Sequence, residues 1–249
     1  QAEPADVDER GVSMRWQDGE TEVDCVLAAM GRRPNFDGLG LDTLGIALTE
    51  DGFPDLPEGR LNQPGTGVYF AGDASPGPAL LHEASDEGRI AGYFAARGED
   101  AAFRRRTPLR MVFCDPQNAV AGATCSALQG RDDIAVGEAA FDDAGRNRLQ
   151  RGPGGALRLY AGKKTARLLG AALLAPDAEH LAHLLAHAIG RQDDLPSLLR
   201  MPAYHPTHEE VLRRAVRRTL AACEVDIPDL DAIRCEDTPV ECGRTGGTR

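Results

Sequence analysis

Two histidines, a threonine and two glutamates crowd into the seven residues Tyr204-His205-Pro206-Thr207-His208-Glu209-Glu210. The periodicity that follows predicts a helix over residues 207–223, and two readings of its start are open. In one, Thr207 caps the helix and Glu210, three residues on, completes a capping box after a proline that pins the entry. In the other, Glu210 folds back to His205. A carboxylate bonded to one imidazole nitrogen sets the tautomer and stabilises the cation, which leaves the other nitrogen as an acid or base. A second constellation is Val68-Tyr69-Phe70-Ala71-Gly72-Asp73. A strand ending in Gly-Asp sets a carboxylate at the C-terminal edge of a sheet, where open α/β folds bind nucleotides. Glycine allows close backbone approach, and the aspartate can accept bonds from polyol hydroxyls. After the loop at residues 75–78, Leu80, Leu81 and His82 open a helix whose free N–H groups suit an anionic oxygen.

These groups need a scaffold, and the pattern along the chain predicts one. Residues 11–16 and 22–29 read as strands around Gln17-Asp18-Gly19-Glu20, and residues 67–71 as a short buried strand. Residues 80–97 are helical in pattern, with Ala84, Gly88, Ala91 and Gly92 small enough to sit close to a sheet or ligand. Residues 104–108 look like a domain boundary. Beyond it, residues 109–113, 134–141, 157–160 and 166–174 read as strands, and 147–155 as a turn region. Two helices follow, at 177–191 with Asp177 as N-cap, and at 207–223. The fold class is therefore α/β of the α+β kind, with an antiparallel sheet and helices in the second half.

Bulk composition narrows the function classes. The 249 residues are 42% hydrophobic and 27% charged, which is globular, and the formal net charge of -11 disfavours nucleic acid as a partner. No apolar run is long enough to span a membrane and no secretion signal is visible. Six scattered cysteines without CxxC spacing suit reduced thiols in a cytoplasm. Cys114 and Cys125 read as small buried hydrophobes. Cys235 and Cys242 lie in a tail whose acidic flanks raise thiol pKa and lower reactivity. His180, His183 and His187 share one helix face, but the outer pair is separated by ~10 Å of helix, too far for a common ion. No metal site is expected.

The run Val26-Leu27-Ala28-Ala29-Met30-Gly31-Arg32-Arg33-Pro34-Asn35, then Val68 to Asp73, Leu80 to Gly88, Met111-Val112-Phe113-Cys114-Asp115-Pro116 and His205-Pro206-Thr207-His208-Glu209-Glu210 resembles the pyridine nucleotide–disulfide oxidoreductase family in content and order. The stretch Met201-Pro202-Ala203-Tyr204-His205-Pro206 is similar to its dihydrolipoamide dehydrogenase branch. The resemblance implies that residues 1–30 end an NAD(P)-binding domain and that 31–106 are the C-terminal part of an FAD-binding domain. It further implies that 107–226 form an interface domain of a homodimer and that 227–249 are a tail. Gly72 and Asp73 would meet the FAD ribityl chain, and the backbone of Leu80, Leu81 and His82 the flavin's pyrimidine edge. Gly31 and Arg32 would lie at the junction of the two nucleotide-binding parts. His205, oriented by Glu210, would serve as acid/base for a small dithiol or lipoyl-type substrate at the partner subunit's flavin and disulfide. A mercuric or glutathione reductase-like enzyme, and a non-catalytic dimerisation module that has lost flavin, are the alternatives.

The family's Cys-x4-Cys pair and both Gly-rich dinucleotide loops do not occur in these residues. The resemblance begins inside a domain, so the sequence is expected to be a piece of a longer protein rather than a degenerate relative. FAD and NAD(P) then belong to the parent enzyme. This chain purified alone is expected to bind FAD weakly or not at all, which visible flavin absorbance per mole of chain checks directly. Stoichiometric, tightly held flavin would overturn that expectation.

Overall fold

A two-residue turn at Gln17 and Asp18 folds the first chain segment into an antiparallel meander of β1 (Ala2–Asp8), β2 (Gly11–Trp16) and β3 (Gly19–Val23). The computed structural model describes residues 2–8 and 11–226, in two units divided between Arg104 and Arg105. The second strand starts three residues earlier than the sequence pattern suggests and stops at Val23. Val23 pairs with Val12 near the start of β2, so the chain beyond it runs past the one strand that pairs with it among the described residues. The apolar run that follows leaves the sheet, with Leu27 91% and Met30 94% exposed.

The rest of the first unit is built from turns around a small core of Ile46, Leu61, Phe70 and Ala91. A 3-10 turn at Leu41–Leu44 lies between Gly40 and Gly45, both left-handed. The expected strand at residues 67–71 is an extended segment with a single bridge, Asn62 to Tyr69, beside which Phe70 N–H donates to Leu61 O at 2.6 Å. Strand character needs a ladder, and one short neighbour supplies only a rung. A 3-10 turn at Gly72–Ala74 leads to α1 (Leu81–Arg97), which ends on left-handed Gly98. Its buried positions are Glu83, Glu87 and Ala91, a stripe four residues apart. Of the small residues expected to allow close approach, Gly88 and Gly92 face open space among the described residues, whereas Ala84 lies against Gly72.

The second unit is a five-stranded antiparallel sheet backed by helices. Along the chain come β4 (Leu109–Val112), β5 (Gln117–Gly122), α2 (Cys125–Leu128), β6 (Ile134–Ala140), α3 (Gly145–Gln150), β7 (Ala156–Gly162) and β8 (Leu168–Ala175), then α4 (Ala178–Arg191), α5 (Leu195–Leu199) and α6 (Glu209–Leu220). The strand order is β4-β5-β8-β7-β6. Helix α4 packs on β5 and β8, and α6 on β6 and β7, enclosing Phe141, Leu157, Leu159, Leu173, Leu185, Leu212 and Val216. The mixed α/β character read from the sequence is present.

Several local expectations fail for identifiable reasons. Strand β5 was hidden in the alanine-rich run Gln117-Asn118-Ala119-Val120-Ala121-Gly122, which has little β propensity, yet Ala119 and Ala121 are fully buried between β4 and β8. Part of the expected turn region folds as α3, closed by Arg151 in the left-handed conformation. Asp177 stands at the N-cap of α4, but its backbone is left-handed (φ 49°) and its side chain caps nothing; Gln117 Oε1 accepts the Glu179 N–H instead, at 3.3 Å. Cys114 and Cys125 are exposed, the first in the turn after β4 and the second at the start of α2.

Gly137 in β6 is where α6 comes closest to the sheet, since a Cβ there would run into the backbone nitrogen and hydroxyl of Thr219. Gly137→Ala is expected to push α6 off β6 and cost roughly 1–3 kcal/mol, measured by urea unfolding of the chain. A variant as stable as the parent would show that the helix moves aside freely.

Candidate functional site

The turn before α1 is held by an acid from the helix itself. Gly72 is left-handed (φ 66°), and a Cβ on it would sit 3.2 Å from that of Ala84, so only glycine fits without displacing the helix. Its N–H donates to Glu87 Oε2 at 2.6 Å, and the Ser75 hydroxyl donates to Glu87 Oε1 at 3.0 Å. Glu87 is 1% exposed. This residue escaped the sequence reading; the available signal was an acid four residues after Glu83 on a face that otherwise bears small side chains.

Asp73 follows directly and points away from that buried anchor. Its carboxylate is 54% exposed and accepts from Arg32 Nη1 at 3.0 Å. Both line a cavity of about 610 Å³ with Gly31, Phe36, Phe53 and Ala79. Leu80, the N-cap residue of α1, offers no side-chain cap, so the first-turn N–H groups of Leu81 and His82 meet no capping side chain. The Leu81 side chain is exposed, and His82 Nε2 lies 3.9 Å from Glu83. The sequence-derived residues of the first unit thus fall on one turn and the helix start that it feeds.

In the second unit, the two readings of the Tyr204–Glu210 segment merge. His205 Nδ1 faces both oxygens of Glu210, at 3.0 and 3.1 Å, while Thr207 N–H donates to Glu210 Oε2 at 3.2 Å. Glu210 therefore reaches back to the backbone just before the helix and grips the imidazole with the same carboxylate. Thr207 does not cap; its hydroxyl donates to Tyr204 O at 2.7 Å, and the N-cap position falls on His208. The bond from His205, then that from Thr207 N–H, holds the Glu210 carboxyl below the usual range. That depression favours the contact above the ordinary glutamate pKa, and the contact is lost as pH falls through the lowered value. A carboxylate on Nδ1 keeps the proton there and presents Nε2 outward. The peptide bond between His205 and Pro206 is cis, and the His205 side chain is 75% exposed.

That imidazole lines a concavity of about 560 Å³ together with Asp143, Gly145, Arg213, Arg214 and Arg217. On α4, His183 Nδ1 bonds the Glu179 carbonyl oxygen at 2.7 Å, and among the described residues no three His, Cys, Asp or Glu side chains converge as a metal site would require. Cys235 and Cys242 lie outside the described residues.

Comparison with known proteins finds a family match in each unit. Residues 109–216 match the dimerisation domain of pyridine nucleotide-disulphide oxidoreductases, and residues 1–88 match the pyridine nucleotide-disulphide oxidoreductase model. The chain belongs to the pyridine nucleotide–disulphide oxidoreductase family. Dihydrolipoyl dehydrogenase of Halobacterium salinarum is 33% identical over 82% of this chain and 43% of its own length, and that of Bacillus subtilis 28% identical over 86% and 47%. The chain thus spans less than half the length of these relatives. LpdA from Mycobacterium tuberculosis superposes with a TM-score of 0.71 at 25% identity, covering 87% of this chain and 48% of that one. The Cu(II) complex of the HOCl-induced flavoprotein disulfide reductase RclA from Escherichia coli shares the fold, with a TM-score of 0.73 at 24% identity, over 87% of this chain and 49% of that one. Enzymes of this family depend on FAD and NAD(P).

Glu87→Ala would leave the Gly72 N–H and the Ser75 hydroxyl without their shared acceptor. Hydrogen exchange at the Gly72 amide is expected to accelerate by an amount corresponding to roughly 1–3 kcal/mol of lost protection, with the amides of β5 and β8 unchanged. Unaltered exchange at Gly72 would show that the turn stands without its anchor.

Proposed function

We propose that this chain forms the flavin-edge and dimer-interface portion of an FAD-dependent, NAD(P)-linked dithiol/disulfide oxidoreductase like dihydrolipoyl dehydrogenase. The observation that carries the reading is the Glu210 carboxylate on His205 Nδ1, at the exposed start of α6 in a unit matching the family's dimerisation domain. His205 accepts a thiol proton at Nε2, while Glu210 stabilises the imidazolium that results. Deprotonation supplies the thiolate, which is the nucleophile in disulfide exchange. An exposed imidazole within a dimerisation unit suits service to a neighbouring subunit, so the homodimer through residues 107–226 completes the active site.

The first unit suits the flavin that this role requires. FAD, when bound, accepts the electrons of the dithiol and passes them to the nicotinamide. Asp73 would accept bonds from the ribityl hydroxyls, Gly72 would admit the cofactor to the backbone, and the N–H groups of Leu81 and His82 would face the pyrimidine edge. The exposed carboxylate at the rim of a 610 Å³ cavity and the glycine-only turn beside it support that assignment. Arg32 would have to share or release Asp73 when a polyol binds. The four described cysteines are free, in keeping with a reducing compartment such as the cytoplasm, and no helix among the described residues is long and apolar enough to cross a membrane.

In the complete flavoprotein, His205→Gln is expected to slow dithiol turnover by roughly 10²–10⁴-fold while flavin content stays unchanged. Stopped-flow reduction of the flavin by dihydrolipoamide measures the step directly. Normal turnover in that variant would remove His205 from the mechanism.

A further inference from the structure

Helix α6 carries more positive charge toward His205 than holding the imidazole requires. Arg213, Arg214 and Arg217 line the same 560 Å³ concavity as His205, Glu210 and Asp143. The two acids are already engaged, Glu210 with His205 at 3.0 Å and Asp143 with Arg148 at 2.8 Å. Arg213 and Arg217 are exposed and have no ion-pair or hydrogen-bond partner among the described residues. Arg214 gives one Nη2 bond to Ala140 O, at 3.1 Å, but its Nε is buried without a partner. Three guanidinium groups therefore face a concavity whose carboxylates are spoken for, in a chain with a net charge of -11. The unpartnered forks of Arg213 and Arg217, beside a reactive group, are suited to a carboxylate, which they can hold through paired N–H bonds, with the free Nε of Arg214 next to them.

We infer that Arg213, Arg214 and Arg217 form an anion subsite that takes the carboxylate of a small acidic dithiol whose thiols meet His205. The inference rests on the proposed role of His205. Helix geometry sets the reach: Arg213 and Arg217 lie three and seven residues beyond Glu210, roughly 5 and 10 Å along the axis. A dithiol with a carboxylate several bonds from its sulfurs can span that interval. Its neutral amide has the same length and the same thiols but gives the arginines no charge to meet. The subsite thus discriminates between acid and amide forms of one dithiol and leaves the proton transfer at Nε2 unaltered.

The test uses the 249-residue chain under reducing conditions, titrated with dihydrolipoate and separately with dihydrolipoamide. Imidazole and arginine Nε–H resonances follow the binding. The acid is expected to bind roughly five- to tenfold more tightly at low ionic strength, with most of that margin lost in high salt. Arg213→Gln with Arg217→Gln should abolish the margin while binding of the amide stays as it was, which also shows the concavity intact. Equal affinity for acid and amide in the parent chain would overturn the subsite. So would a preference that survives the double substitution, an equal loss of both ligands in it, or no binding of either ligand. An absent preference alongside slow turnover in His205→Gln removes only the arginine subsite; normal turnover in His205→Gln removes the acid–base role whatever the ligand preference.

Discussion

One carboxylate, that of Glu210, ties the start of α6 to the imidazole that precedes it. The bond to Thr207 N–H satisfies an amide near the helix start that intrahelical bonding would leave open, and the bond to His205 orients the ring. Because both bonds end on the same side chain, ring orientation and helix entry are one structural event. The position of that event is set by the packing of α6 on β6 and β7, through Val211, Leu212, Ala215 and Val216 on its buried face. Gly137 lets the far end of the helix approach the sheet closely. The exposed His205–Glu210 geometry thus rests on a fully buried seam.

The first unit uses a related device with the opposite exposure. Glu87 is buried and reaches back from the second turn of α1 to a backbone N–H and a hydroxyl in the preceding turn. Asp73, one residue beyond the anchored glycine, is left facing outward. In both units a glutamate holds the chain entering a helix, and the neighbouring polar side chain, Asp73 or His205, is exposed. Burial of Glu87 is tolerable because its two oxygens are matched by donors, the condition under which a buried acid is not a liability.

Charge placement separates α6 from the average surface. The chain as a whole is acidic, yet the outward side of α6 bears Arg213, Arg217 and Arg218, with Arg214 half-buried beside them. Arg218 spends its guanidinium on Glu138 O at 2.7 Å and Arg214 one bond on Ala140 O, so these two also clasp the edge strand β6. Arg213 and Arg217 have no such structural duty among the described residues. The helix is therefore both a clamp on the sheet and a source of positive potential beside His205.

The sequence alone determined the family, the mixed α/β class, α1, α4 and α6 to within a few residues, and the pairing of His205 with Glu210 as one of two readings. Those features are written in short-range patterns: helical periodicity, a proline just before the helix, and an acid at fixed spacing. Tertiary structure decided what depends on distant partners. Strand β5 exists because β4 and β8 flank an alanine run with little preference of its own, and residues 67–71 fail to become a strand for want of a ladder. Gln117, not Asp177, serves the start of α4, because a left-handed backbone at Asp177 keeps its carboxylate from capping. Glu87 is an anchor, and the arginines of α6 gather around His205, only once helix and turn are packed together. Local pattern records what a residue can do; long-range packing chooses which partner it meets.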